Sequence, residues 1–164
     1  MTGTPGTGKT TVAALLHYRV IDINSLVRGG MNLGLDPERG CLDADMDALA
    51  GHLKFLDSKE AVILEGHFSH HFADWAIVLR LSPAALRPRL EKRGYSQAKI
   101  RENLEAEALD VILVEAVDMC QRVDEIDTTG RSADEVAAMI EDIIEGSLHL
   151  PPGQTDWLEE FFGR

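Results

Sequence analysis

The chain has little cysteine, few basic residues and no long apolar run, and each shortage disfavours a class of protein. Two cysteines in 164 residues indicate no disulfide framework, which favours a reduced, cytoplasmic protein. Sixteen basic residues stand against 28 acidic ones, for a formal net charge of -12. A broad nucleic-acid surface needs a basic face, so that class is disfavoured. No apolar run is long enough to cross a membrane, and no export signal precedes the first motif.

What the chain does contain is typical of a folded enzyme domain. Apolar residues make up 45% of the sequence, which excludes a disordered chain. Short apolar segments alternate with helical patterns, and this order predicts an α/β fold with a parallel sheet. There is no repeat or dividing linker, so we expect one domain over residues 1–146, followed by a tail over residues 147–164.

The most informative motif lies at residues 3–10, which read G-T-P-G-T-G-K-T. The spacing G-x-x-x-x-G-K-[ST] is that of the P-loop, whose backbone N–H groups surround phosphate oxygens. Lys9 would add a positive charge beside the β- and γ-phosphates, and the Thr10 hydroxyl would bind magnesium. The alternative, a glycine-rich turn that only caps a helix, is disfavoured because a helical apolar pattern follows.

Hydrophobic periodicity and turn signals divide the rest of the chain into elements. The pattern predicts strands at residues 19–23, 61–64, 75–79 and 123–129, and helices at residues 9–17, 24–28, 43–56, 83–93, 96–121 and 132–144. Residues 29–40 are rich in glycine and predict an irregular, mobile loop. A P-loop normally follows a buried strand, but only Met1 and Thr2 precede this one. We therefore expect the first, central strand to be missing, through a late start or truncation, which would expose its neighbours.

Three segments together resemble one kinase family. They are T-G-T-P-G-T-G-K-T-T at the start, E-G-H at residues 65–67, and R-L-E-K-R-G-Y-S-Q-A-K-I-R-E-N-L-E-A-E at residues 89–107. Over roughly residues 2–145 the chain is similar to the adenylate kinase isoenzyme 6 family. These are small nucleoside-monophosphate kinases of archaea and eukaryotic nuclei, linked to maturation of the small ribosomal subunit. The resemblance implies a P-loop NTPase fold of the nucleoside-monophosphate-kinase type, with helices flanking the parallel sheet.

The resemblance also implies a set of site residues. The matching ATP-phosphate contacts are Gly6, Gly8, Lys9, Thr10, Thr11 and Arg93. Arg93 would lie on a short lid over residues 92–102, where a guanidinium could swing over the phosphates. Arg89 lies one helical turn before Arg93 and Arg101 lies beyond the lid turn; each could equally be a surface arginine. Residues 24–42 match the acceptor-monophosphate segment, in which Arg28 would hold the acceptor phosphate. The backbone at residues 129–131 is a candidate adenine contact.

Glu65 and His67 are the remaining catalytic candidates. Glu65 would bind magnesium with Thr10 or orient the attacking phosphate, and His67 would orient a water or a phosphate. Eukaryotic members usually have D-Y-H where this chain has E-G-H. The alternatives are a solvated acid at a strand end and a histidine in a simple turn. Zinc at His67, His70 and His71 is disfavoured, because a site needs three or four converging ligands and adjacent histidines diverge on most backbones.

Three functions are compatible with these motifs. The first is an adenylate kinase that converts ATP and AMP to two ADP with Mg²⁺. The second is an ATPase that acts as an assembly factor, with a basic small-subunit ribosomal protein as partner for the acidic surface. The third is a non-catalytic nucleotide-binding module, which would have no need for Arg93 on a closing segment. The apolar stripe at the end of the tail either docks on the domain or binds a partner.

Overall fold

The computed structural model describes residues 1–37, 40–54 and 61–163, in which strands alternate with helices as expected for an α/β protein. The strands are β1 (Arg19–Asp22), β2 (Asn32–Asp36), β3 (Cys41–Ala44), β4 (Val62–Glu65), β5 (Trp75–Arg80) and β6 (Arg122–Asp127). The helices are α1 (Lys9–Ala13), α2 (Ile23–Arg28), α3 (Met46–Lys54), α4 (Pro83–Lys92), α5 (Gln97–Ala108), α6 (Val111–Met119), α7 (Ala133–Glu145) and α8 (Leu158–Phe162). A 3₁₀ turn covers Ser69–Phe72.

Two parallel pairs, β1 with β4 and β5 with β6, make up the central layer. Met1 and Thr2 lie between them. The Met1 amine donates to Leu64 O at 2.8 Å, and the Thr2 N–H donates to Ile77 O at 2.9 Å. Thr2 also forms a parallel bridge with Val78. The place of the central strand is therefore held by two residues, and among the described residues no longer strand precedes the P-loop.

Apolar clusters on both sides of this layer fix the elements around the P-loop. On one side α1 and α7 cover β5 and β6, with Val12, Leu79 and Ile140 buried. In a second buried cluster, Leu86 of α4 lies with Leu104 of α5. The predicted helix starts at Ser82 and Ser132 are confirmed. The Ser82 side chain accepts from the Ala85 N–H, and Ser132 forms a capping box with Glu135.

Four predicted elements differ from the structure in their bounds or type. The first helix ends at Ala13 instead of residue 17. The predicted helix over residues 96–121 is two helices, because Asp110 adopts a left-handed conformation with φ of 57° and its carboxylate binds the Arg80 guanidinium. Residues 29–40 were predicted to be irregular, but β2 pairs with β3 in an antiparallel hairpin. The predicted helix 43–56 begins at Met46 and extends toward residues 55–60, which lie outside those described.

The tail lies along the free edge of β6. Leu150 O accepts from the Glu125 N–H at 2.8 Å, and Glu125 Oε2 accepts from the N–H groups of Gly153 and Gln154. Phe161 of α8 packs on the apolar cluster of α4 and α5, whereas Phe162 is half exposed. The tail is thus docked on the domain over most of its described length. Within the described parts of the chain, no helix is both long enough and apolar enough to cross a membrane.

Candidate active site

The P-loop turn passes close to β5 and ends at an open helix terminus. Gly3 has a φ of 140°, and a Cβ at this position would lie 2.4 Å from Leu79 O, so no other residue fits without displacing the strand. Gly8 has a φ of 105° and is the N-cap of α1, where no side chain forms a capping hydrogen bond. The first N–H groups of α1 therefore remain directed at the cleft, as an anion site requires.

Lys9 is held inside this turn by the backbone. Its Nζ donates to Gly3 O at 2.7 Å and to Thr4 O at 3.0 Å, and only 6% of the residue is exposed. Burial lowers the pKa of the Lys9 ammonium to about 8, against an opposing effect of the Glu65 carboxylate. The ammonium is therefore still mostly charged at neutral pH, and its position inside the loop suits contact with terminal phosphates.

Glu65 and Thr10 meet at the end of β4. Glu65 Oε1 accepts a hydrogen bond from Thr10 Oγ1 at 3.3 Å, and only 2% of the Glu65 residue is exposed. Burial raises the pKa of the Glu65 carboxyl, while the Lys9 charge and the Thr10 hydroxyl oppose the rise. Two oxygen donors beside a phosphate-binding loop are the ligand type that Mg²⁺ prefers, so these residues fit the predicted magnesium site. Thr11 is exposed and lies outside the described lining of the cleft.

His67 lies two residues further on and faces the same cleft. Its ring packs edge-on against Phe68, with centroids 4.6 Å apart. Loss of surrounding water and the nearby Lys9 charge lower the pKa of His67 to about 4. The imidazole is therefore neutral at neutral pH and could orient a water or a phosphate only as an uncharged hydrogen-bonding group.

The lid candidates lie on the opposite wall. Arg93 is the C-cap of α4, is exposed, and lines the cleft just before Gly94, which has a φ of 73°. Arg89 Nη1 donates to Gly6 O at 3.2 Å, so this second arginine contacts the P-loop itself. Arg101 pairs with Glu105 on the exposed face of α5, and the described cleft lining does not include it.

The acceptor candidate Arg28 also lines the cleft. Its Nη2 donates to Ser25 Oγ at 2.8 Å and to Asp22 Oδ2 at 3.3 Å. The Asp22 side chain also caps α2 by accepting from the Ser25 N–H. This network fixes the guanidinium beside the cleft while 63% of its side chain remains exposed. Arg28 is therefore positioned to meet an anion without first leaving a buried partner.

These walls enclose one cleft with a volume of about 1310 Å³. Its lining includes Lys9 of the P-loop, Glu65, His67, Arg28 and Arg93. Sites for one small ligand usually measure roughly 300–1,000 Å³. The cleft therefore exceeds the usual size of a site for one small ligand.

The residue that links the P-loop to α5 was not predicted from the sequence. Glu107 of α5 accepts hydrogen bonds from Thr4 Oγ1, from Arg80 Nε at 2.8 Å and from the Leu81 N–H at 3.0 Å. Arg80 also donates to Glu125 Oε1 at 2.8 Å. Glu107 lies between two alanines, and nothing in this part of the sequence indicates that its carboxylate has a buried partner on β5.

We expect Glu107→Gln to destabilise the fold by about 2 kcal/mol, because the buried Arg80 guanidinium loses a full negative charge while the shape is kept. Urea unfolding measures the effect. Glu105→Gln is the matched control, since Glu105 is in an exposed pair with Arg101 that contributes roughly 0.3–0.5 kcal/mol. Equal losses in the two variants would contradict the assigned role of Glu107.

Comparison with known proteins identifies the family of this chain. A family profile described as "AAA domain" matches residues 1–110. A putative adenylate kinase of Methanothermobacter thermautotrophicus is 51% identical and aligns with 96% of this chain and 95% of that protein. The chain belongs to the family of this putative adenylate kinase. Putative adenylate kinases of Methanosarcina barkeri and Archaeoglobus fulgidus are each 44% identical, over 97% and 100% of this chain respectively.

Membership in this kinase family confirms the coarser part of the functional prediction. The chain is a P-loop phosphotransferase of the nucleoside-monophosphate-kinase type, with the α/β fold that the motif predicted. The identity of the acceptor, the roles of the individual site residues and the link to ribosome maturation stay predictions. The lid and acceptor boundaries at residues 92–102 and 24–42 also stay predictions, as does a cytoplasmic location.

Proposed function

We propose that this protein is an adenylate kinase, which transfers the γ-phosphoryl group of magnesium-bound ATP to AMP and yields two ADP. One observation carries the proposal: a single cleft of about 1310 Å³ joins the P-loop, Glu65 and Arg28. A hydrolase or a binding module needs room for one nucleotide only. A kinase that uses two nucleotides needs two adjoining anion sites in one cleft, so that the acceptor phosphate can reach the γ-phosphorus.

In this proposal ATP lies with its β- and γ-phosphates on the P-loop. The N–H groups at the start of α1 and the Lys9 ammonium hold the phosphates, replacing the carbonyl partners that Lys9 has in this structure. Thr10 and Glu65 would hold Mg²⁺, which supplies positive charge to the phosphate oxygens when bound. His67, being neutral, could contribute a hydrogen bond near the reacting groups.

Transfer then needs alignment and charge more than covalent help from the protein. An oxygen of the AMP phosphate attacks the γ-phosphorus, and the bond from that phosphorus to the bridging oxygen of ADP breaks. Arg28 holds the acceptor phosphate in line, because its guanidinium is fixed at the cleft edge by Ser25 and Asp22. Arg93 moves in from the lid and stabilises the charge on the transferred group.

The net charge of -12 supports a second candidate activity, ATP hydrolysis coupled to a basic partner such as a small-subunit ribosomal protein. Such a reaction would use the same P-loop, Glu65 and Arg93 with water as the acceptor. It would have no use for Arg28. The dependence of ADP formation on AMP, and on Arg28, therefore separates the two activities.

We expect ADP formation to rise at least tenfold when AMP is added to the protein with magnesium and ATP. Arg28→Ala should raise the KM for AMP about tenfold or more and leave the KM for ATP unchanged, because one charge-assisted hydrogen bond to phosphate is lost. A coupled spectrophotometric assay measures both constants. Arg19→Ala is the matched control, since Arg19 is exposed on β1 outside the described cleft lining. ADP formation that ignores AMP but rises with a basic ribosomal protein would favour the ATPase.

A further inference from the structure

A cluster of two histidines and one glutamate lies beside the cleft proposed for catalysis, whose lining includes His71 but neither His70 nor Glu115. His70 and His71 belong to the 3₁₀ turn Ser69–Phe72, and Glu115 belongs to α6. One ligand atom from each residue lies within 4.8 Å of the other two. The sequence interpretation rejected zinc because adjacent histidines diverge on most backbones. That reasoning was wrong for this turn, which places the two ring centroids 4.5 Å apart.

We propose that His70, His71 and Glu115 form a binding site for a divalent transition-metal ion of the zinc class. Two imidazoles and one carboxylate are a common zinc ligand set, which leaves a fourth position for water. A tetrahedral ion with bonds of about 2.0–2.1 Å needs ligand atoms roughly 3.3–3.4 Å apart. His70 Nε2 and Glu115 Oε2 are 3.3 Å apart, so this edge of the tetrahedron is already formed.

The tautomer of His70 is the observation that points to a cation. Thr2 Oγ1 donates its single proton to His67 O at 3.1 Å. The contact of 3.1 Å between Thr2 Oγ1 and His70 Nδ1 must then be donated by Nδ1–H. In neutral His70, Nε2 therefore presents a lone pair to the Glu115 carboxylate. Two acceptors at this distance repel each other unless a cation lies between them.

Burial strengthens this argument. The His70 side chain is 1% exposed, and its Nε2 has no hydrogen-bond partner of good geometry in the described parts of the chain. The bond from Nδ1–H to Thr2 is the outer contact that usually fixes a metal-binding histidine in position.

The other two ligands leave an entry path. His71 is exposed, and half of the Glu115 side chain is exposed, so an ion can arrive from solvent. Cys120 is nearby, but its Sγ contacts the carbonyl oxygens of His70 and Ala73 instead of the ring nitrogens. A bound ion would link the 3₁₀ turn to α6 and, through Thr2, would brace the segment that leads into the P-loop.

Titration calorimetry of chelator-treated, tag-free protein with Zn²⁺, in the absence of nucleotide, tests the site. We expect one equivalent of zinc to bind, and we expect His71→Ala and Glu115→Gln each to weaken binding at least tenfold. Both substitutions lie at the surface, so the fold should survive, which circular dichroism without metal will show. His52→Ala is the matched control, because His52 is exposed on α3, outside this cluster.

Thermal unfolding gives a second readout that does not involve kinase activity. Zinc should raise the unfolding midpoint of the wild type and of His52→Ala, and should raise it much less in the two ligand variants. The competing arrangement, in which Nε2–H donates to Glu115 and Thr2 donates to Nδ1, needs no metal. It predicts no saturable zinc binding. That result, or zinc affinity unchanged in both ligand variants, would overturn the proposal.

Discussion

Lys9→Met should lower the kcat for phosphoryl transfer by about 10²–10³-fold or more. A single preorganised donor to developing negative charge contributes roughly this factor in other enzymes, and Lys9 adds a full positive charge. Methionine keeps much of the buried apolar stem, so the loss should come mainly from the missing ammonium at Gly3 O and Thr4 O. Steady-state kinetics with ATP and AMP, together with the AMP-independent ATPase rate, measure the effect.

Both reactions should fall together, because both use the P-loop phosphates. Lys54→Met is the matched control, since Lys54 is exposed in the last turn of α3, outside the described cleft lining. Its kcat should stay within twofold of the wild type. Retained transfer in a folded Lys9→Met protein would remove the P-loop from the mechanism, whereas loss of folding would show up in circular dichroism.

Arg93→Ala should lower kcat by about 10³-fold while changing the KM for ATP much less. Arginines that reach a transferring phosphoryl group contribute roughly 10³–10⁵ in kcat. In this structure Arg93 is exposed beside Gly94, and its side chain, unlike that of Arg89, forms no hydrogen bond with the P-loop among the described residues, so its charge is available to move. The split between kcat and KM distinguishes a charge that acts in the transition state from one that only binds ATP.

Arg87→Ala is the control for Arg93. Arg87 is exposed on α4, has the same side chain, and lies outside the described cleft lining. We expect its kinetic constants to match those of the wild type. A rise in the KM for ATP at constant kcat in Arg93→Ala would instead assign this residue to ground-state binding, and unchanged constants would place it outside the reaction.

The sequence predicted the phosphate end of the site because the determinants there are local. The spacing of Gly3, Gly8 and Lys9 constrains one turn of backbone, and an apolar strand that ends in Glu65 leaves an acid at the sheet edge. The capping residues Ser82 and Ser132 act within three residues of themselves. Such features can be predicted from residues adjacent in the sequence, without knowledge of the side chains that pack against them in the fold.

The errors came from contacts between residues distant in the sequence. The break after Ala108 depends on Asp110 meeting Arg80, which is 30 residues away along the chain. The hairpin of β2 and β3 was missed because the glycines of residues 29–40 indicated a loop, although N-L-G-L-D at residues 32–36 alternates leucine with other residues as a strand does. The approach of His71 to Glu115 likewise requires a 3₁₀ turn packed against α6.

The contacts made by Leu150, Gly153 and Gln154 have a consequence for self-association. They occupy polar groups along β6 that an uncovered strand would offer to a second molecule. The segment after Gly146 thus covers the edge strand of the sheet. If this segment detached, the exposed edge of β6 could pair with another molecule, so we expect aggregation of otherwise folded molecules to increase.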